Sequence, residues 1–129
     1  MTLQDMIQVV QMETKAVSES RIKPTDWVRW AQDAITEAFS VDGSLRIQPG
    51  MTVLPTPFYV DPNADPTTGV YDVPLSLLPY HNGLEAYIKF RYHSSDPKNE
   101  SENAEASKAY GEFLRYLGVH EFAAPAAKG

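Results

Sequence analysis

Cysteine is absent from the 129-residue chain, and this absence excludes several chemistries at once. Without a thiol there is no disulfide framework, no thiolate zinc site and no cysteine nucleophile. Long hydrophobic runs are missing too, since no segment approaches the ~18 consecutive apolar residues of a membrane span. The first residues show no basic region followed by an apolar run. We therefore expect a protein made in the cytoplasm without membrane association.

Positive charge is also scarce. The chain carries 11 Lys and Arg against 17 Asp and Glu, for a net charge of −6. Its basic residues are scattered singly, whereas phosphate binding needs clusters of them. Residues 3–39 have the order of a helix-turn-helix, yet the second helix offers only Arg29 as a basic residue against three acidic ones. The composition therefore disfavours a protein that reads nucleic-acid sequence.

Motifs of catalysis are missing as well. The sequence has no Gly-x-Ser-x-Gly elbow and no glycine-rich phosphate loop. The histidines at 81, 93 and 120 lack metal-ligand spacing, because no two of them are four residues apart. We accordingly predict no catalytic residue, no metal ligand and no cofactor, and expect a protein that is not an enzyme.

One loop has a partial calcium-binding pattern. Oxygen-bearing side chains alternate from Asp61 to Thr67, and Asp72 stands where the last ligand would be. However, Pro66 occupies the position that needs glycine for a sharp turn. A solvated turn rich in Asp, Asn and Pro is the better interpretation. The sequon Asn99-Glu100-Ser101 is interpreted as chance, because no secretion signal accompanies it.

Apolar residues recur at helical spacing in two segments of the first third of the chain. The first predicted helix runs from Leu3 to Val17, with Thr2 as its cap and Asp5 completing a capping box. The second predicted helix begins at Pro24, where a missing N–H is harmless. Its apolar rows are Trp27, Ala31, Ala34 and Ala38, and beside them Val28, Ile35 and Phe39.

Two further helices are predicted in the second half. The central one spans about Tyr80 to His93, and its apolar surface is too wide for a single neighbour. The last one is capped by Asn99 or Ser101 and stops at Gly118. The apolar side of the central helix contains Leu84, Tyr87 and Ile88 together with Arg91, and that of the last helix contains Ala106, Ala109, Tyr110, Phe113, Leu114 and Leu117.

Between the second and third helices the pattern changes to that of strands. Residues 44–47 and 51–54 flank the turn signal Pro49-Gly50, which predicts a small β-hairpin. Residues 58–60 and 70–73 are predicted as short edge strands, since Pro55 and Pro57 prevent regular pairing in a sheet centre. The predicted fold is thus mainly α (α+β): a four-helix domain over residues 1–118, with a β excursion at about 44–74 and an extended tail at 119–129.

Two kinds of functional contact are predicted inside this fold. Arg91 lies on an apolar helix face, so its guanidinium either extends to water or meets a carboxylate. The second helix carries Asp33 and Glu37, and Asp33 is the predicted partner. Several aromatic and apolar residues are predicted to contact other subunits or partners. These are Trp30, Phe58, Tyr59, Val60, Phe122 and Pro125. Trp30 borders the apolar stripe of the second helix, so its position is compatible with either a core or a contact role.

Several stretches together resemble the head-to-tail adaptor (connector) proteins of short-tailed bacteriophages. Leu3–Ile7 and Pro24–Ala34 resemble the first two helices of that family. The later half is closer still, with Val73-Pro74, Leu84–Arg91, a short acidic connection at Asp96 and the closing segment Phe113–Gly118. The proline-rich middle, residues 49–74, departs from the family pattern.

The resemblance implies a structural virion protein of the neck. Such small helical subunits form a ring, commonly of twelve copies, between the portal and the tail, and DNA passes through the axial channel. The implied partners are further copies of this chain, the portal protein and tail proteins, with no sequence-specific DNA contact. The alternative from the residues alone is a small cellular protein–protein interaction module, and neighbouring genes would distinguish the two.

Overall fold

Four α-helices form the body of the protein in the computed structural model, which describes residues 1–15, 21–58, 72–95 and 100–118. They are α1 (Leu3–Thr14), α2 (Pro24–Val41), α3 (His81–Ser94) and α4 (Glu100–Tyr116). Within the described residues between α2 and α3, two 3-10 helices are present, Gly43–Arg46 and Leu75–Tyr80. The predicted mainly helical, four-helix architecture is confirmed.

The helix starts follow from their first residues. At α1, the Thr2 hydroxyl accepts from the Asp5 amide at 3.2 Å, and the Asp5 carboxylate accepts from the Thr2 amide at 2.8 Å. This is the predicted capping box. The helix ends at Thr14, followed by Lys15 in the left-handed region at φ 59°, and Val17 of the predicted helix lies outside the described residues. Helix α2 begins at Pro24, as predicted.

Helix α3 is the centre of the body. It contacts α1, α2 and α4, and its contact with α4 is the most extensive of the three. This agrees with the wide apolar surface predicted for that segment, because a helix surrounded by neighbours has no free polar face. Fully buried side chains from all four helices meet around it: Leu3, Met6, Val10, Ile35, Leu84, Ile88 and Phe113.

A glycine permits the close packing of α3 on α4. A Cβ atom placed on Gly83 would lie 2.9 Å from Tyr116 Cβ and 3.5 Å from the Phe113 carbonyl oxygen. Any larger side chain at this position therefore requires the two helices to move apart. Just beyond the end of α4, Gly118 adopts φ 83° and donates its amide to the Arg115 carbonyl at 3.0 Å. The predicted stop at Gly118 thus has the geometry of a glycine helix terminus.

The predicted β-hairpin at residues 44–54 is wrong. The Asp42 carboxylate accepts from the Ser44 amide at 3.0 Å and starts a 3-10 helix over Gly43–Arg46 instead of a strand. Pairing across the Pro49-Gly50 turn is limited to one isolated bridge between Ile47 and Val53. The pairing extends no further along residues 55–57, where two prolines remove backbone donors.

Residues 72–73, at the end of the excursion, pair with the first residues of the chain. Asp72 forms an isolated antiparallel bridge with Thr2, and the Val73 amide donates to the Met1 carbonyl at 3.0 Å. Among the described residues of the two predicted edge strands, 58 and 72–73, no strand is present. The calcium-like loop up to residue 71 and the tail at 119–129 lie outside the described residues.

Candidate interaction surface

Large hydrophobic side chains are exposed around one turn of the excursion. Ile47, Met51, Val53 and Leu75 retain 45, 79, 57 and 59% of their accessible surface, respectively. We call these four residues the apolar tip. Exposed apolar side chains are common one at a time, whereas a group of them marks a contact surface.

The turn that carries Met51 has an unusual backbone. The Met51 amide donates to the Gln48 carbonyl at 3.0 Å across Pro49 and Gly50, and Gly50 has φ 84°. Proline followed by glycine at positive φ is the arrangement of a type II turn. Met51 then has φ 67°, a left-handed conformation that costs a residue with a side chain about 1 kcal/mol. The Met51 side chain is thus exposed to solvent on a strained backbone.

Hydrogen bonds fix the two arms of the turn. The Gln48 amide donates to the Thr52 carbonyl at 2.7 Å, and the Leu54 amide donates to the Arg46 carbonyl at 2.9 Å. The Arg46 side chain adds a bond from Nε to the Leu54 carbonyl at 2.8 Å. Because Ile47 and Val53 face each other in the antiparallel bridge, their side chains lie on the same face of the turn.

The fourth member of the apolar tip comes from a distant part of the sequence. Leu75 directly precedes Ser76, and Ser76 is bound to Gln48, 28 residues earlier. Gln48 Nε2 donates to the Ser76 hydroxyl at 2.8 Å, and Gln48 Oε1 accepts from the Ser76 amide at 3.1 Å. A single glutamine side chain thus joins the turn to the 3-10 helix that precedes α3.

The structure places Trp30 in the core, which is one of the two roles that its position beside the apolar stripe allows. Only 7% of Trp30 is exposed, and its ring packs edge-on against Trp27 at a centroid distance of 5.1 Å. It is therefore a core residue of α2. Phe58 is half-buried, and its backbone is bound to Thr36 of α2 by two hydrogen bonds of 3.0 and 3.3 Å. The other predicted contacts, Tyr59, Val60, Phe122 and Pro125, lie outside the described residues.

The sequence contains no signal that separates the apolar tip from an ordinary hairpin. Ile47, Met51 and Val53 flank Pro49-Gly50, and hydrophobic residues on both sides of a tight turn are typical of a hairpin. Their exposure depends on which distant residues cover them, and the spacing does not reveal this.

The predicted ion-pair residues are in direct contact. Arg91 Nη1 donates to Asp33 Oδ2 at 2.6 Å and contacts the Tyr87 hydroxyl at 3.5 Å. Burial opposes the charge of the guanidinium, but the hydrogen bonds to Tyr87 and Asp33 outweigh it and raise the pKa of Arg91. Nearby, the Tyr110 hydroxyl donates to Glu37 at 3.3 Å. These polar contacts tie α2 to α3 and α4, which is a structural role.

Two of the three histidines contact carboxylates. His81 Nδ1 lies 3.2 Å from Glu85 Oε2, and His93 Nδ1 contacts Glu102. Only 7% of Glu85 is exposed, and its burial raises the pKa of the carboxyl group above the ordinary value of 4.5. Among the described residues, no group of three His, Asp or Glu side chains is arranged to hold a metal ion. His120 lies outside these residues.

A small surface cavity of about 100 Å³ lies between α3 and α4. Lysine and glutamate side chains of both signs surround it, and one of them, Lys89, is already paired with Glu13 of α1. Mixed charge gives the cavity no preference for an anion or a cation. No helix within the described part of the chain is long and apolar enough to cross a membrane.

Comparison with known proteins found no relative of this chain. No family model, no curated protein and no solved structure matches the chain. The apolar tip therefore defines the candidate site by its physical properties alone.

Proposed function

We propose that this chain is a structural subunit of a phage neck, which assembles as a ring between portal and tail. The apolar tip is the observation that carries the proposal, because it places four large hydrophobic side chains outside a body that is already fully packed. A chain with this surface needs a partner to remove it from water. In the proposed neck, that partner is the portal protein.

The body supports a structural role in the same assembly. Its four helices pack around α3 with no buried side-chain polar atom lacking a partner among the described residues. A stable body with an exposed contact surface suits repetition by symmetry, in which modest contacts add up over many copies. The ring of twelve copies is taken from the family resemblance. The net charge of −6 opposes adhesion of phosphate and suits a channel through which DNA slides.

The test is assembly with the portal protein of the same virus. Mass measurement by native mass spectrometry is expected to find the chain monomeric or weakly associated alone, and a ring of copies on the portal when the two are mixed. Met51→Asn keeps a residue that tolerates the left-handed backbone but removes the apolar side chain. We expect this variant to bind the portal at least about 10-fold more weakly.

Met12→Gln is the matched control, because Met12 is a second exposed methionine, 74% accessible, on α1 and outside the apolar tip. It should bind like the unmodified chain. If Met51→Asn bound the portal as tightly as the unmodified chain, the apolar tip would not be part of the interface. Electron microscopy of a neck that lacks this ring would overturn the function itself.

A further inference from the structure

We infer that Gln48 is a positioning residue for the apolar tip, holding it in its binding conformation before a partner arrives. The inference rests on the proposed function for its binding readout, but its structural half can be tested without any partner. Gln48 is itself only half-buried and contributes no apolar surface. Gln48 matters because its side-chain amide is hydrogen-bonded to separate segments of the chain.

The Gln48 side chain makes four hydrogen bonds. Besides the two bonds to Ser76, Nε2 lies 3.0 Å from the Leu45 carbonyl and 3.3 Å from the Arg46 carbonyl. The Ser76 hydroxyl in turn donates to the same Leu45 carbonyl. One amide group thus connects the 3-10 helix Gly43–Arg46, the turn and the 3-10 helix Leu75–Tyr80, three segments with little mutual burial.

Apolar packing anchors the two segments only away from the apolar tip, through Leu54 packed against the core and the fully buried Leu77. The four side chains of the apolar tip point largely into solvent, so they do not hold the turn against the segment that carries Leu75. Loops with few buried contacts open locally at low free energy. Without Gln48, the turn and Leu75 would move independently, and a partner would have to order both on binding. Ordering flexible groups weakens affinity without changing the contacts made.

The geometry explains why glutamine suits this position. A side-chain amide supplies a donor and an acceptor at one end, and Ser76 offers both an acceptor hydroxyl and a donor amide. Glutamate would keep the acceptor and lose the donor, and alanine would lose both. Asparagine is one methylene shorter, so its amide would fall short of Ser76.

Hydrogen exchange of Gln48→Ala provides the partner-free test. The Ser76 amide loses its acceptor directly, so the more informative amide is that of Leu54, which is bonded to the Arg46 carbonyl and not to Gln48. We expect Leu54 to exchange at least about 10-fold faster in Gln48→Ala, with Ile88 of α3 unchanged and the same melting temperature. Gln8→Ala, at an exposed position on α1, is the control and should change none of these.

Binding to the portal protein completes the experiment. Gln48→Ala should weaken binding about 10-fold, and Ser76→Ala should weaken it less, because alanine at position 76 keeps the backbone amide that donates to Gln48 Oε1. The double variant should be little weaker than Gln48→Ala, because Gln48→Ala already removes both bonds. Unchanged exchange at Leu54 would overturn the inference, as would unchanged affinity despite faster exchange. If the unmodified chain does not bind the portal at all, the proposed function fails, and the exchange of Leu54 alone decides the role of Gln48.

Discussion

The helical body and the apolar tip treat their hydrophobic side chains in opposite ways. In the body, residues such as Ile35, Ile88 and Phe113 are completely buried. At the tip, Met51 and Val53 remain mostly exposed while polar groups of Gln48, Arg46 and Ser76 hold the backbone. The difference separates the residues that stabilise the fold from the exposed residues that we propose as a contact surface. Substitutions in the two regions should therefore affect different measurements.

The largest effect on stability is expected in the core between α3 and α4. Phe113 is fully buried, and its ring lies 5.2 Å from that of Tyr87. Phe113→Ala removes this packing and leaves a cavity, which should lower the free energy of unfolding by about 3–5 kcal/mol. Urea denaturation followed by circular dichroism measures it. Leu75→Ala removes a large apolar side chain from the tip and should change the value by less than about 0.5 kcal/mol.

A pair of glycines in the body tests the close approach of α3 and α4. Gly83→Ala would gain about 1 kcal/mol of helix propensity. The contact with Tyr116 forces the helices apart, however, and overpacking costs about 1–3 kcal/mol. We expect a net loss. Gly111→Ala is the matched control on α4, where a new Cβ meets nothing within 4 Å, so it should stabilise by up to about 1 kcal/mol.

Thermal denaturation of the two alanine variants gives the comparison directly. Shifts in opposite directions are expected, downward for Gly83→Ala and upward for Gly111→Ala. Two upward shifts would mean that α3 and α4 separate easily, contrary to the packing described above.

A smaller, pH-dependent effect is expected at Glu85. Burial raises the pKa of this carboxyl group in the folded protein, so the folded state holds its proton more tightly than the unfolded chain. Stability from this group is therefore complete below the ordinary pKa of 4.5 and is lost as pH rises through the higher pKa of the folded state. The charged groups that face it are His81 and Lys89 on α3 and Glu13 on α1.

Glu85→Gln cannot ionise and should lack this contribution to the pH dependence. The free energy of unfolding of the variant, relative to the natural chain, should rise as pH increases from the ordinary pKa of 4.5 toward neutrality. Urea denaturation across this range measures the difference. The same comparison in a His81→Asn background tests whether the slope belongs to Glu85, and a difference that stays constant with pH would contradict the assignment.

The smallest effect on stability is expected at the tip. Met51→Asn removes an exposed side chain and keeps a residue that accepts φ 67°. The free energy of unfolding, and with it the melting temperature, should change by less than about 0.5 kcal/mol, whereas the proposed function predicts weaker portal binding for the same variant. A large fall in melting temperature would show that the apolar tip contributes to folding, and the separation of the two regions would fail.

The helices are predictable from the sequence because their signals are local. Thr2 with Asp5, Pro24 and Gly118 act within one turn of the backbone, and the apolar spacing around Leu84 and Ile88 identifies the central helix. Even the partner of Arg91 follows from the need to neutralise a cation on an apolar face. These inferences require little knowledge of distant residues.

The excursion is not predictable in the same way. Residues 44–47 alternate like a strand, but the carboxylate of Asp42 at one end and the amide of Gln48 at the other favour a 3-10 helix and a short turn. The link from Gln48 to Ser76 spans 28 residues, and no spacing rule reveals it. The choice between a core and a contact role for Trp30 is open in the sequence for a related reason, since the burial of this residue depends on the ring of Trp27 and on the helices packed over α2.

The pairing of the two tryptophans has a practical consequence for observing this molecule. Trp27 and Trp30 are the only indole fluorophores of the chain, and both are buried in α2, with Trp27 stacked on Tyr92 at 5.7 Å. Intrinsic emission will report melting of the helices and remain silent when the turn at Met51 engages a partner. Because the chain has no cysteine, a thiol introduced at the exposed position 52 would accept a dye at that one place while keeping Met51, and the emission of the dye would report binding at the turn.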